Sequence, residues 1–181
     1  MALSNLFIIP DFKNGFASVE LDGQTRVLKM KDLRKHWSYA TKSRIESAAI
    51  EEHGDEVLGY LLTDSGQGGI VFVWDPAKNE IIHVNEGAFT VAVTMDEHYV
   101  YSLCYVISWG TPAHFILLRS EKGTINALEE GTELNCVFPP FLDNYDGNAG
   151  SIKMNVKNDN TVEIEMNGEK GEIQFSLKTK Q

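Results

Sequence analysis

The chain has few of the features that usually announce a function. It carries only two cysteines, Cys104 and Cys136, and five prolines in 181 residues, so neither a disulfide framework nor a proline-rich spacer is built into it. Its longest strongly apolar run, Tyr99 to Trp109, falls far short of the roughly 18 residues that a membrane-spanning helix needs. Met1 to Pro10 contains an apolar patch, Leu6 to Ile9, but no basic leading segment and no small-residue cleavage site. No Asn-x-Ser/Thr acceptor occurs. Together these absences predict a soluble chain with reduced thiols, located in the cytoplasm.

Positive charge is the next scarcity. Residues 54–150 hold only Lys78, Arg119 and Lys122 against fourteen acidic side chains. The flanks are near balance, with eight basic and seven acidic residues in 1–53 and five of each in 151–181. The net charge of −10 therefore belongs to the middle of the chain. A surface of that sign repels nucleic-acid phosphates and anionic membranes, which leaves a basic protein or a cation as the expected kind of partner. The one basic stretch, Arg26 to Arg44, reads as the solvated face of a helix.

Motifs for chemistry are missing too. None of His36, His53, His83, His98 and His114 falls in a His-x-x-x-His or His-Glu-x-x-His spacing, and the consecutive Asp96, Glu97 and His98 diverge on a turn. Asp64 to Gly69 is glycine-rich but lacks the Gly-Lys-Ser/Thr and following helix of a phosphate loop, so it reads as a hairpin loop. Asp143 to Asn148 offers oxygen ligands, yet Asn148 stands where a calcium loop requires glycine. No Gly-x-Ser-x-Gly elbow exists. Cys104 sits in an apolar run, and acidic neighbours disfavour a reactive thiolate at Cys136. The residues thus assign no catalytic group, no metal site and no cofactor.

What is present is mostly β pattern. Phe16 to Leu21 and Thr25 to Leu28 flank the turn dipeptide Asp22-Gly23. Six segments follow from Val57 to Arg119: 57–63, 70–74, 80–84, 89–94, 99–107 and 115–119, separated by Gly-, Asp- and Asn-containing breaks. Tyr99 to Ile107 is apolar on both faces and reads as a central strand, with helices on one side. The C-terminal residues alternate most clearly: Ile152, Met154, Val156; Val162, Ile164, Met166; Ile173, Phe175, Leu177. They predict a three-stranded meander with one buried face. Helical signal is confined to residues 30–53. Met30, Leu33, Trp37 and Ala40 share a face, and the capping-box pattern Ser43 to Glu46 precedes Ile45, Ala48 and Ala49, with Gly54 as a stop. Phe138 to Gly150, opening Phe-Pro-Pro, reads as an irregular connection.

One stretch, Leu61 to Val84, resembles the middle of a WD-type β-propeller blade: strand, Asp/Gly turn, strand ending in Trp74-Asp75, turn, strand. The resemblance implies radially stacked blades. A closed propeller needs at least about four blades of about 40 residues, and the Gly-His pair is missing, so no family follows from it.

The expected fold is mainly β or α+β: antiparallel sheets, sandwich- or meander-like, with a short two-helix insertion near residues 30–53. It forms a single domain over 1–181, with lobes 1–137 and 151–181 linked by loop 138–150. The expected function is a non-catalytic interaction protein whose acidic β surface binds a basic protein, in the manner of an inhibitor that masks a basic toxin or nuclease. Its candidate contacts are Trp109, carried on the Ser108 to Pro112 turn, and Asp143, Tyr145 and Asp146 in the following connection. The alternative is a small-molecule binder or hydrolase with a β-sheet cleft collecting His83, His98 or His114 with carboxylates. A structural subunit would instead expose a long strand edge.

Overall fold

The computed structural model describes residues 17–37, 45–63, 68–148 and 151–178. It is 61% strand and 6% helix, which places it among mainly β proteins. Strands β1 (Ala17–Leu21) and β2 (Gln24–Leu28) form a separate hairpin, followed by the short helix α1 (Met30–Arg34). Strands β3 (Ile45–His53), β4 (Glu56–Thr63), β5 (Gly69–Asp75), β6 (Glu80–Glu86) and the short β10 (Ile125–Asn126) form a five-stranded sheet in the order β10-β6-β5-β4-β3. A seven-stranded sheet is built from β7 (Thr90–Met95), β8 (Tyr99–Val106), β9 (His114–Glu121), β11 (Thr132–Val137), β12 (Ile152–Asn158), β13 (Thr161–Met166) and β14 (Glu169–Leu177). Its order is β12-β13-β14-β11-β9-β8-β7. Its two outermost strands, β12 and β7, curl round against each other, giving a nearly closed barrel. Among the described residues all pairings are antiparallel except the parallel β10–β6 contact.

Three apolar clusters stack through the molecule. In β5, Ile70, Phe72 and Trp74 point to one side of the five-stranded sheet and pack with Leu28, Leu33 and Trp37 of the N-terminal cap. Val71 and Val73 point to the other side, where Leu58 and Tyr60 join Val93, Met95 and Val100 of the barrel wall. Inside the barrel, Tyr101, Leu103 and Leu117 meet the inward residues of the meander, including Met154, Ile164 and Phe175. The period of two along β5 and β8 sends alternate side chains into different clusters, so these strands are apolar on both faces.

The meander keeps its expected alternation, and Asn167-Gly168, with φ of 53° and 85°, supplies the tight turn between β13 and β14. Asp22-Gly23 does the same between β1 and β2. The segment resembling a propeller blade forms consecutive antiparallel strands, β4 to β6, within the five-stranded sheet. The loop reading of Asp64 to Gln67 lies outside the described residues.

Two expectations need correction. Residues 45–53, expected to be a second helix, form β3. The apolar spacing of Ile45, Ala48 and Ala49 fits a helix face, but the same segment finds a ladder on β4 from Ile45↔Thr63 to His53↔Glu56, interrupted only by a register shift between Ile45 and Ser47. Gly54, at φ 61°, is the turn residue of that hairpin rather than a helix stop. The first helix is real but short, with Leu33 fully buried, and residues 38–44 lie outside the description. The doubly covered strand β8 is covered by the five-stranded sheet, not by helices, because Tyr60, Val71 and Val73 fill that face.

The chain leaving β6 lies tight against the neighbouring strand β5 at Gly87, where an added Cβ would lie 2.7 Å from the Ile70 carbonyl carbon and 2.8 Å from the Val71 nitrogen. Backbone cannot yield there as a flexible side chain would. Gly87→Ala is expected to cost about 2 kcal/mol through overpacking, read as a lower urea midpoint at unchanged slope.

Candidate functional site

The four residues singled out from the sequence converge on one end of the barrel. Strands β8 and β9 form a hairpin that runs to the pairs Tyr105↔Phe115 and Val106↔His114. Beyond them Ser108 to Thr111 makes a tight turn, with the Thr111 N–H donating to the Ser108 carbonyl at 3.4 Å and Gly110 at φ 85°. Hydroxyls of Ser108 and Thr111 bond to each other across it. The turn leaves Trp109 at 105% relative exposure, with Ile107 beside it at 65%. Phe89, exposed and in left-handed backbone at φ 63°, lies at the same end, its carbonyl accepting from the Tyr105 N–H at 2.9 Å.

The connection after β11 locks the base of that hairpin. Pro139 and Pro140 start a 3-10 helix (Pro140–Asn144) whose Leu142 is buried in the barrel cluster. Tyr145 follows, its N–H donating to the Leu142 carbonyl at 3.0 Å. Its ring centroid stands 4.9 Å from that of Tyr105 and 5.4 Å from that of Phe115, and Tyr105 and Phe115 are themselves 4.9 Å apart. These tilted and edge-on arrangements are the favourable ones for aromatic rings. Burial, and secondarily the charge of Asp146, push the Tyr145 hydroxyl above its usual range. Asp143 and Asp146 are exposed on either side of Tyr145, and neither forms an ion pair with a described residue. So Tyr145 is a half-buried clamp, whereas Trp109, Asp143 and Asp146 are presented to solvent.

The three cations of the middle segment do little to offset its acidity. Lys78 pairs with Asp75 and Lys122 with Glu56, while Arg119 lies 4.0 Å over the Tyr99 ring. Cys104 and Cys136 are both free thiols, pushed up to about 12 and about 11 respectively, chiefly by burial. Neither is poised as a thiolate nucleophile.

The histidines do not form a common cleft. His98 and His114 are exposed at opposite ends of the β8–β9 pair. His83 is fully buried between the sheets, with Nε2 2.8 Å from Asn85 Oδ1 and 3.3 Å from Ser120 Oγ. Asn85 Nδ2 donates to the Glu86 carbonyl, which fixes the amide with its oxygen toward the imidazole. His83 Nε2 therefore carries the proton and donates to Asn85, so it is not a base for Ser120; a triad would place the two partners on different ring nitrogens. No group of three or more His, Cys, Asp or Glu among the described residues is arranged to hold a metal ion. No helix among them is long and apolar enough to cross a membrane.

Sequence reasoning missed the His83–Asn85–Ser120 contact, which joins residues 37 apart in the chain, and the exposure of Phe89 and Ile107. The Gly87-Ala88 break before Phe89 was the only local signal for the latter. Comparisons with protein-family models, curated proteins and solved structures give no significant match to this chain.

Two measurements check this geometry. Trp37 and Trp74 are 2% and 0% exposed, so acrylamide should quench one emission component, and Trp109→Phe should abolish it. The second concerns pH. Burial holds His83 and His53 below their ordinary value of 6.5, so the unfolded chain takes up protons first as pH falls. Stability then declines below about pH 6.5. Glu51 and Glu86, raised by burial, act in the opposite sense at lower pH, because there the folded chain takes up protons first. His83→Gln should therefore lose less stability than the parent between neutral pH and about pH 5.5, measured as the urea midpoint at each pH.

Proposed function

We propose that this chain is a non-catalytic interaction protein that binds a positively charged protein partner through its acidic β surface, with the Trp109 end of the barrel as the contact. The observation that carries this reading is the complete exposure of Trp109 on a hairpin whose base is fixed by Tyr145. An indole left in water on a rigid projection gains apolar burial and little ordering cost when a partner covers it, which is why tryptophan dominates interface hot spots. Asp143 and Asp146 flank Tyr145, at the root of that hairpin, without an ion pair to a described residue, and their charge would draw a basic surface toward this end. The free thiols suit a reducing cytoplasm, where a protein that masks a basic toxin or nuclease would need this surface and no chemistry of its own. The separation of His83, His98 and His114 favours the binder over a hydrolase with a histidine-lined cleft.

The test is affinity capture from the native lysate at low and moderate salt, with the parent chain, Trp109→Ala and the pair Asp143→Asn/Asp146→Asn. A basic protein retained at low salt, weakened by added salt and lost with Trp109→Ala supports the reading. The aspartate pair should mainly reduce the salt dependence. Retention that ignores Trp109, or of a neutral or acidic protein, would sink it.

A further inference from the structure

Between β9 and β11 the chain makes a detour to the other sheet. After Lys122, whose N–H donates to the His98 carbonyl, Thr124 O accepts from Val84 and Glu129 O accepts from Glu86, while β10 pairs with β6. The chain then returns so that Thr132 pairs with Arg119. Gly131 lets this return leg lie flat on β9, since a Cβ there would meet the Arg119 carbonyl at 3.1 Å. From Ser120 onward β9 has lost its β11 neighbour, and a cleft of about 350 Å³ opens between its edge and the detour. Because the cleft lies at a strand edge, residues from both faces of β9 reach it.

Charges of both signs line this small space without neutralising each other. The Arg119 guanidinium is held over the Tyr99 ring and beside the Tyr101 hydroxyl, and it forms no ion pair with a described carboxylate. Glu121, Glu129 and Glu130 line the same cleft and pair with no described cation. Their field is felt nearby: burial, and then the charge of Glu130, raise the Glu86 carboxyl above its usual range. Beneath Ser120 lies the buried His83, whose Nδ1 has no hydrogen-bond partner. A phosphate would meet three glutamates, and a simple cation would meet the arginine. One kind of molecule satisfies both, carrying an anion for the guanidinium and a cation for the glutamates. The volume is at the low end for ligand sites.

We propose that this cleft binds a small zwitterion of the α-amino-acid class, with its carboxylate on Arg119 and its ammonium against Glu129 and Glu130. Arginine suits the first role because its planar fork meets a carboxylate with two parallel N–H donors. The site is at the opposite end of β8 from Trp109, roughly 23 Å away at about 3.3 Å per residue, and is independent of the protein-binding reading.

The test is titration calorimetry of the full chain with the proteinogenic L-amino acids, each tested singly up to millimolar concentration. For any that binds, the N-acetyl form removes the cation and the carboxamide removes the anion. Each blocked form should bind about tenfold or more weakly, as should the free amino acid to Arg119→Met, the loss expected for a charge-assisted contact. Trp109→Ala should bind it unchanged. Absence of binding by every amino acid, or equal binding of the blocked forms by the parent chain, overturns the proposal. The blocked forms need no mutant and so decide the matter even where Arg119→Met fails to fold.

Discussion

Strands β7 and β8 have no free face, and most of the molecule follows from that. One side of each looks into the barrel and the other is pressed against β4 and β5 of the second sheet. A fully buried Val or Leu side chain contributes about 1.5–3 kcal/mol, so the residues between the sheets form a joint that neither sheet could supply alone. Polar groups admitted to this region are small or bonded across it: the Tyr60 hydroxyl donates to the Val91 carbonyl at 3.2 Å, and His83 reaches Ser120 on the opposing strand. Such bonds also fix the relative position of the sheets, since buried polar groups are costly when displaced from their partners.

Holding β8 and β9 rigid along their length has a consequence at each end. At one end the hairpin projects past its last ladder pair and carries Trp109 into solvent, with Tyr145 wedged at its root. At the other end β9 outruns β11, and the chain must cross to β6 and back, leaving a charged cleft at the unpaired edge. Both features are by-products of strands that differ in length around one barrel.

The strands that could be read from the sequence are those whose two faces differ or whose apolar content is continuous. Ile152 to Leu177 shows its alternation openly because one face meets water, and the run from Tyr99 is unbroken because neither face does. β11 was hidden because Leu134 is its single buried apolar side chain. β3 reads as helix in the sequence because Ile45, Ala48 and Ala49 satisfy a helical spacing, and its pairing with β4 depends on Gly54 acting as a hairpin turn. At the site, Trp109 could be marked by its turn, Ser108 to Pro112. Nothing local could show that Arg119, Tyr99 and Glu130 share a cleft, because the detour that joins them is set by the hydrogen bonds of Val84 and Glu86.

The barrel is fastened unevenly. Around most of its circumference neighbouring strands share a hydrogen-bonded ladder, but among the described residues no ladder joins β12 to β7, although the two lie side by side. Side-chain contacts are not directional as a ladder is, so this seam does not fix strand register. The position of β12 against β7 is therefore set from a distance, by the ladders that run from β12 through β13 and β14 to β11. The barrel is closed like the lap joint of a rolled sheet, with one edge strand lying against the other. Leu142, inserted from the connection that leads into β12, joins the same interior cluster as residues of both edge strands, Val91 and Ala92 of β7 and Ile152 and Met154 of β12.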